Sequence, residues 1–396
     1  MSYNSLYKLF VMNDNSYFNK IFESRFNSES SYKFPLFING NQAFFYFSSE
    51  IANLALKIRE YDKRINDAFN NLPNIAKKQY IKKSLIDEIE FTNQIEGVIS
   101  TRKDINDILD NIANVNKNRL QGIVNKYKLL LNRNNLKIEE SQDIRNIYDE
   151  MLKYEIELDD KNNLPDGEIF RKNSVHVFRG QEKSIHEGIN PESKIIQYID
   201  KSINILNNED LDILVRVAIF HYLFGYIHPF YDGNGRINRF ISSYYLSKNL
   251  TPIISYRLSM NIKENLTQYL DAFSHTNDPR NKGDISTFVY EFLDIILKAY
   301  QKTEIYALNK NKEIHTYSNI IENLALSKTE QRILFVLIQD ELFSGFGLSC
   351  SNLSSILEIS YCTCFKHLSV LEKANFIKKA YNGKQIFYSV IIDNIK

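Results

Sequence analysis

The chain has no tryptophan, three cysteines, seven prolines and thirteen glycines in 396 residues. Each shortage narrows the field. Three cysteines, at 350, 362 and 364, cannot build a paired disulfide framework and fit a reducing compartment. Cys362 and Cys364 lie close together, but no Cys/His set at zinc spacing surrounds them, so they read as plain helix residues. A strong charge of either sign is also missing. The 49 Lys+Arg and 48 Asp+Glu leave a net +1, too little to hold nucleic acid or an anionic membrane through a general field. The longest apolar stretch, Leu211–Phe230, contains Arg216, His221 and His228 and reads as a buried helix, not a membrane span. The opening MSYNSLYKLFVMNDNS lacks the long apolar core and small-residue cleavage site of a signal peptide. The expected location is the cytoplasm, with no membrane partner.

What is present is an ordinary globular balance, 43% hydrophobic and 24% charged, which excludes bulk disorder. The length suits two or three domains. Residues 1–34 show no clear period. Helical spacing begins near residue 46 and predicts Phe47–Asn71, a break near Pro73, then Ile75–Glu96. Gly97 follows as a helix-ending glycine, and Thr101 with Asp104 reads as the next N-cap. Further helices are predicted over Asn116–Asn132, Ser141–Glu155, Pro191–Leu206 and Leu211–Ile227. Between them, Ser174–Ile189 alternates like a hairpin, with a turn at Arg179–Gly180. After a polar linker near Gln301–Thr316 come helices at Ser327–Gln339, Ser351–Leu357 and Tyr361–Ala374. A hairpin over Phe376–Val390 then turns at Asn382–Gly383. The expected fold is mainly α, with one small β-hairpin and a C-terminal winged helix-turn-helix. The expected divisions are a lead segment (1–34), an N-terminal helical region carrying the inhibitory helix (35–115), a catalytic core (116–302), a linker or helix (303–326) and the winged helix (327–396).

The chemistry concentrates in His228-Pro-Phe-Tyr-Asp-Gly-Asn-Gly-Arg-Ile-Asn-Arg239. Pro229 disfavours helical geometry at His228, so the preceding helix should end there and present the imidazole from a loop. Gly233 and Gly235 flank Asn234 at the start of the next helix. There, backbone N–H groups and the helix dipole favour an anion. Arg236 and Arg239 share one face of that helix, and paired guanidiniums beside an anion hole suggest a polyphosphate. Asp232 is placed to hold a Mg²⁺ bridging the same phosphates. His228 is the nearby group able to take a proton at neutral pH.

This segment resembles the Fic family signature, H-x-F-x-[DE]-G-N-G-R-x-x-R, at every fixed position. The lead-in helix is also similar, except that Gly225 replaces a frequent Glu. The resemblance implies a Fic helical core acting as a protein adenylyltransferase, which moves AMP from ATP, with Mg²⁺, to a Tyr, Ser or Thr hydroxyl. The acceptor would lie on a target protein or on the enzyme itself. It assigns His228 to deprotonation of the acceptor and Asp232 to the metal. Gly233, Asn234, Gly235, Arg236 and Arg239 would hold the phosphates, with Ile237 and Asn238 between them, and Phe230 would anchor the loop. Tyr269 resembles a segment near the nucleotide base. Thr92-Asn-Gln-Ile-Glu96-Gly97 resembles the family's inhibitory motif. By that resemblance Glu96 would pair with Arg239 and occupy the γ-phosphate subsite, while Thr92 would stabilise the inhibitory helix. The hairpin, at Val175, His176 and Val177, sits where the family places the flap that aligns the target segment. His176 and His186 are read as surface residues.

Two alternatives stay open. One runs the site in reverse, with Glu96 orienting water to remove AMP. The other is a DNA-binding regulator acting through the winged helix. From Ser327 onward there are eight Lys+Arg and six Asp+Glu, and Tyr361–Leu368 holds one Lys and one His. That is sparse for a DNA-reading helix and favours protein contact or a structural role. The resemblance leaves a homodimer open.

Overall fold

The computed structural model describes every residue except 1–2, 111–117, 133–135, 180–182, 383–384 and 396. The expected turns at Gly180 and Gly383 therefore lie outside the described residues, as do the first residues of the helix expected from Asn116.

The N-terminal segment is the first correction. Helices α1 (Leu6–Met12) and α2 (Asn15–Phe26) are capped by Ser5 and Asp14, whose side chains accept from the backbone N–H groups of Lys8 and Tyr17. They precede an antiparallel hairpin, β1 (Ser31–Ile38) and β2 (Asn41–Tyr46). Asn39 and Gly40 link the strands with φ of 45° and 80°, the positive values that a tight hairpin turn needs. Leu6, Phe18 and Phe44 bury together beneath a rim of phenylalanines.

The chain continues through α3 (Ser49–Asn70), α4 (Asn74–Ile95) and α5 (Arg102–Leu109). Thr101 caps α5, its hydroxyl accepting from the Asp104 N–H at 3.1 Å. Next come α6 (Gln121–Asn132), α7 (Ser141–Met151) and α8 (Lys153–Asp159). The single helix expected over Ser141–Glu155 thus breaks at Leu152. Tertiary contacts override the periodicity there: Leu152 packs over Gly233, and Glu155 turns to pair with Arg236. Strands β3 (His176–Arg179) and β4 (Lys183–Glu187) form the central hairpin, with His176 opposite Glu187 and a bulge after Val177. Helices α9 (Glu192–Asn207), α10 (Ile213–Ile227) and α11 (Asn234–Asn249) follow. Beyond them lie α12 (Pro252–Ser255), α13 (Leu258–Glu264), α14 (Leu266–Asn277) and α15 (Ser286–Glu322). Residues 301–316 are therefore helix, not linker. Their polarity is that of a solvated face, while Ala307, Ile314 and Ile321 bury one side every seven residues. The C-terminal elements are α16 (Lys328–Phe343), β5 (Leu348–Ser349), α17 (Cys350–Leu357), α18 (Tyr361–Lys373), β6 (Ile377–Asn382) and β7 (Gln385–Val390).

These elements group into two compact units, residues 1–62 with 86–300, and residues 63–85 with 301–396. The first is organised around α10, which is apolar on all sides and buried along nearly its whole length. Gly225 suits this packing. A Cβ there would lie 2.6 Å from Phe273 Cε1, so the glycine makes room for a ring. In the second unit, Ile333, Leu337, Leu353, Leu368, Leu371 and Tyr388 bury against one another. Its sheet runs β5–β7–β6, and its elements follow in the order helix, strand, two helices, hairpin. On α18, Tyr361 and Phe365 stack in parallel and stay exposed. Among the described residues no helix is long and apolar enough to cross a membrane.

Candidate active site

Helix α10 ends at His228, which adopts the left-handed conformation (φ 54°, ψ 63°). Such a backbone is uncommon for a bulky residue and persists only where surroundings impose it. Three features impose it here. Pro229 stops the helix. The His228 N–H bonds the Phe224 carbonyl at 3.0 Å. The third is Arg171, a buried guanidinium that donates from Nε to the His228 carbonyl at 2.9 Å. Its other nitrogens reach the Asn173 and Ile189 carbonyls at 2.6 and 2.9 Å. Arg171 thus ties the His228 turn to both ends of the hairpin.

The loop after His228 closes on itself. Asn234 accepts from the Phe230 N–H at 2.9 Å and donates to the Phe230 carbonyl at 2.8 Å. The Phe230 ring is buried and stacks on Tyr148, centroids 4.2 Å apart. Gly233 then enters α11 at φ 85°, where a Cβ would lie 2.6 Å from Leu152. The first turn of α11 lacks an acidic residue and a side-chain cap. Instead a carboxylate arrives from Glu96, the residue that follows α4. A Cβ on Gly235 would collide with Glu96 Oε1, so Gly235 is the gap through which an anion reaches this helix end.

Glu96 Oε1 accepts from Arg239 Nη2 at 2.7 Å. The Thr92 hydroxyl and carbonyl accept from Arg239 Nε and Nη2 at 2.8 and 3.0 Å. Arg239 is 2% exposed and Glu96 27%. Burial pushes the Glu96 carboxyl up, but the Arg239 charge and hydrogen bond outweigh it, and the group titrates below its ordinary value. Arg239 is held up in turn: burial lowers it, and Glu96 more than compensates. Behind it, Tyr269 donates to or accepts from His221 Nε2 at 2.7 Å and lies within the same buried network.

The His228 imidazole is pushed down to about 4, chiefly because burial strips water from its charged form. Glu96 raises it, Arg171 opposes, and a hydrogen bond to the Gly225 carbonyl raises it. The ring is therefore neutral at pH 7. With one nitrogen bonded to that carbonyl, the other is free in principle to accept a proton.

Not every residue singled out from the sequence points into this space. Asp232 is 42% exposed, its Oδ1 accepting from the Gly233 N–H at 2.5 Å. Arg236 is 1% exposed and paired with the equally buried Glu155 at 2.7 Å. Ile237 is core. Asn238 donates to the His221 carbonyl at 2.8 Å and serves helix packing. Tyr269 sits behind Arg239 as a buried support. His176 is exposed and Val175 half-buried at the base of the hairpin, where the Val175 carbonyl accepts from the Gly188 N–H. Val177 is placed by its backbone pairing with His186. His186 is not a surface residue. It stacks on Tyr226 at 4.4 Å and bonds the Tyr226 carbonyl at 2.6 Å, docking the hairpin onto α10.

Arg171 and Glu155 escaped the sequence reading, because a buried charge leaves no local pattern. Glu155 permits a prediction. Replacing it by Ala would leave the buried Arg236 with its longer contact to Asp232, 3.5 Å away, and urea unfolding should register a loss of about 3 kcal/mol.

A helical core that sets a neutral histidine beside a glycine-gated helix N-terminus, with an arginine beneath it, is the build of a Fic-type domain. Residues 138–246 match the Fic/DOC family, so the chain carries a Fic domain there. A Fic family protein from Desulfovibrio desulfuricans G20 superimposes with a TM-score of 0.53 at 18% identity, covering 91% of this chain and 98% of that one, which shows the shared fold. Fic-1 (residues 134–508) of C. elegans aligns over 65% of this chain and 74% of that one, at 19% identity and a TM-score of 0.44. The ribonucleoside-diphosphate reductase small chain of ostreid herpesvirus 1 is 31% identical over 111 residues, 28% of this chain and 16% of that protein. The chain thus spans about a sixth of that curated relative. Fic-domain proteins commonly transfer AMP or other nucleotide groups to proteins.

Proposed function

We propose that this chain transfers AMP from ATP to a Tyr, Ser or Thr hydroxyl of a target protein, and to itself, and that Glu96 restrains the reaction. The observation that carries the reading is the Glu96 carboxylate lying over Gly235 and on Arg239, where it occupies an anion site at a helix N-terminus. A phosphate chain entering that site must displace it.

In the reaction, His228 takes the acceptor proton while the hydroxyl oxygen attacks the α-phosphorus. The new P–O bond forms as the bond to the β-phosphate breaks, and pyrophosphate leaves with the electron pair. The α11 N-terminus and Arg239, once freed, neutralise the phosphoryl oxygens. Arg236 stays with Glu155 and lends its charge from beneath. The half-exposed Asp232 fits a Mg²⁺ that arrives with ATP, since that ion keeps most of its waters and takes one or two carboxylates plus phosphates. It would supply charge neutralisation on the triphosphate. The hairpin offers a strand edge for backbone pairing with the target segment.

The test is label transfer from ATP labelled at the α-phosphorus, with Mg²⁺, to the Glu96→Gly protein. No incorporation into protein would contradict the reading. In that background Arg171→Met should cut transfer about 100-fold without unfolding the protein, because it frees the His228 turn by the distance over which positioned catalysis fails. Intact activity would show that the turn holds itself.

A further inference from the structure

Helix α4 and the turn that ends it carry more than Thr92 and Glu96 toward α11. Glu88 lies on the same face, at the four-residue spacing Glu88, Thr92, Glu96. It is fully buried, and nothing in the proposed chemistry uses it. Its Oε2 accepts from the Ser259 N–H at 2.7 Å, and its Oε1 accepts from the Ser259 hydroxyl at 2.6 Å and the Ser243 hydroxyl at 3.4 Å. Ser243 is one turn beyond Arg239 on α11, and Ser259 opens α13. The two helices therefore meet in antiparallel register: Glu88 faces Ser243, Thr92 faces Arg239, and Glu96 reaches Gly235.

A carboxylate buried two turns from the ion pair is costly unless its bonds do something for the seat. Sliding α4 by one residue would break all three contacts together. We infer that Glu88 is a positioning residue for the inhibitory helix: it fixes the register of α4 on α11 and α13, so that Glu96 lands on Gly235 and Arg239. The inference rests on the reading of Glu96 as a restraint.

Its titration gives this role a signature. Burial pushes the Glu88 carboxyl up to about 7, against the pull of the Ser259 bonds and the Arg239 charge. The groups facing it are Ser243 and Arg239 of α11, Ser259 of α13 and Tyr127 of α6. With its pKa raised in the docked helix relative to a released one, its contribution to docking is complete below the ordinary carboxylate range. That contribution is lost as pH rises through about 7. The released fraction should grow about tenfold between pH 6 and 8.

The test compares AMP incorporation by wild type, Glu88→Ala, Glu88→Gln, Glu96→Gly and the Glu88→Ala/Glu96→Gly double variant, all as the full chain. The expectation is a rise of about tenfold for Glu88→Ala. The double variant should match Glu96→Gly, because both act through one seat. Glu88→Gln keeps acceptor and donor groups, so it should stay near wild type at pH 6. The ratio of its rate to that of Glu96→Gly should be flat with pH, where the wild-type ratio climbs. Wild-type rates in Glu88→Ala, or a double variant far slower than Glu96→Gly, would overturn the inference. If Glu96→Gly transfers nothing, the nucleotidyl reading fails separately. Hydrogen exchange at residues 93–98 then decides: faster exchange in Glu88→Ala supports the anchor, and unchanged exchange overturns it.

Discussion

Glu96→Gly should raise AMP incorporation by about 10- to 100-fold over wild type at pH 7.5. The carboxylate makes one charged hydrogen bond to a buried guanidinium, and such bonds contribute roughly 1.5–3 kcal/mol, which converts to that range. The gain comes from releasing a site that the chain fills with its own anion. Glycine also removes the side chain that shadows Gly235, so a phosphate can approach the α11 N–H groups. The effect should appear in the affinity for ATP as well as in the rate, because the displaced group competes with the nucleotide. Thr92 would remain to orient Arg239 through its hydroxyl and carbonyl. Incorporation equal to wild type would mean that Glu96 yields to ATP without cost.

His228→Ala, placed in the Glu96→Gly chain, should lower transfer by about 10²- to 10⁴-fold, the usual contribution of a general base. The helix should survive, because the turn is held by backbone carbonyls and Arg171 and not by the ring. The pH profile adds a second check. Burial depresses the free-enzyme imidazole to about 4, so its base form persists well below the range of an ordinary histidine. In the Glu96→Gly chain, where no restraint is left to titrate, kcat/KM should therefore hold from pH 8 to pH 6 and fall only as pH drops toward about 4. Removing Glu96, which raises this group, cannot bring the limb back up. A fall centred near 6.5 would point to a solvated imidazole.

The parts of this account that the sequence disclosed are the local ones. Pro229 and Gly233 dictate a helix end and a helix start within six residues, and the structure uses both as written. Helix periods from residue 46 onward located most of the first unit. Glu96 and Arg239 are 143 positions apart, and no spacing rule joins them. Their pairing was available only through the resemblance of two short motifs. Arg171, Glu155 and Glu88 stayed hidden for the same reason, since each is a buried charge satisfied by distant groups. Two misses were avoidable. Asn39-Gly40 between aromatic runs is a strong hairpin signal. The seven-residue spacing of Ala307, Ile314 and Ile321 marks a helix beneath polar residues that look like a linker. The break at Leu152 was not readable, because it is set by packing on Gly233.

Intact-mass analysis after incubation with ATP and Mg²⁺ tests the central claim most directly, since a single spectrum reads the transferred group itself. The account predicts one or more AMP increments on the Glu96→Gly chain, few or none on wild type, and none on Glu96→Gly/His228→Ala. An unmodified Glu96→Gly chain, in the presence of a target extract that is also unmodified, would contradict it.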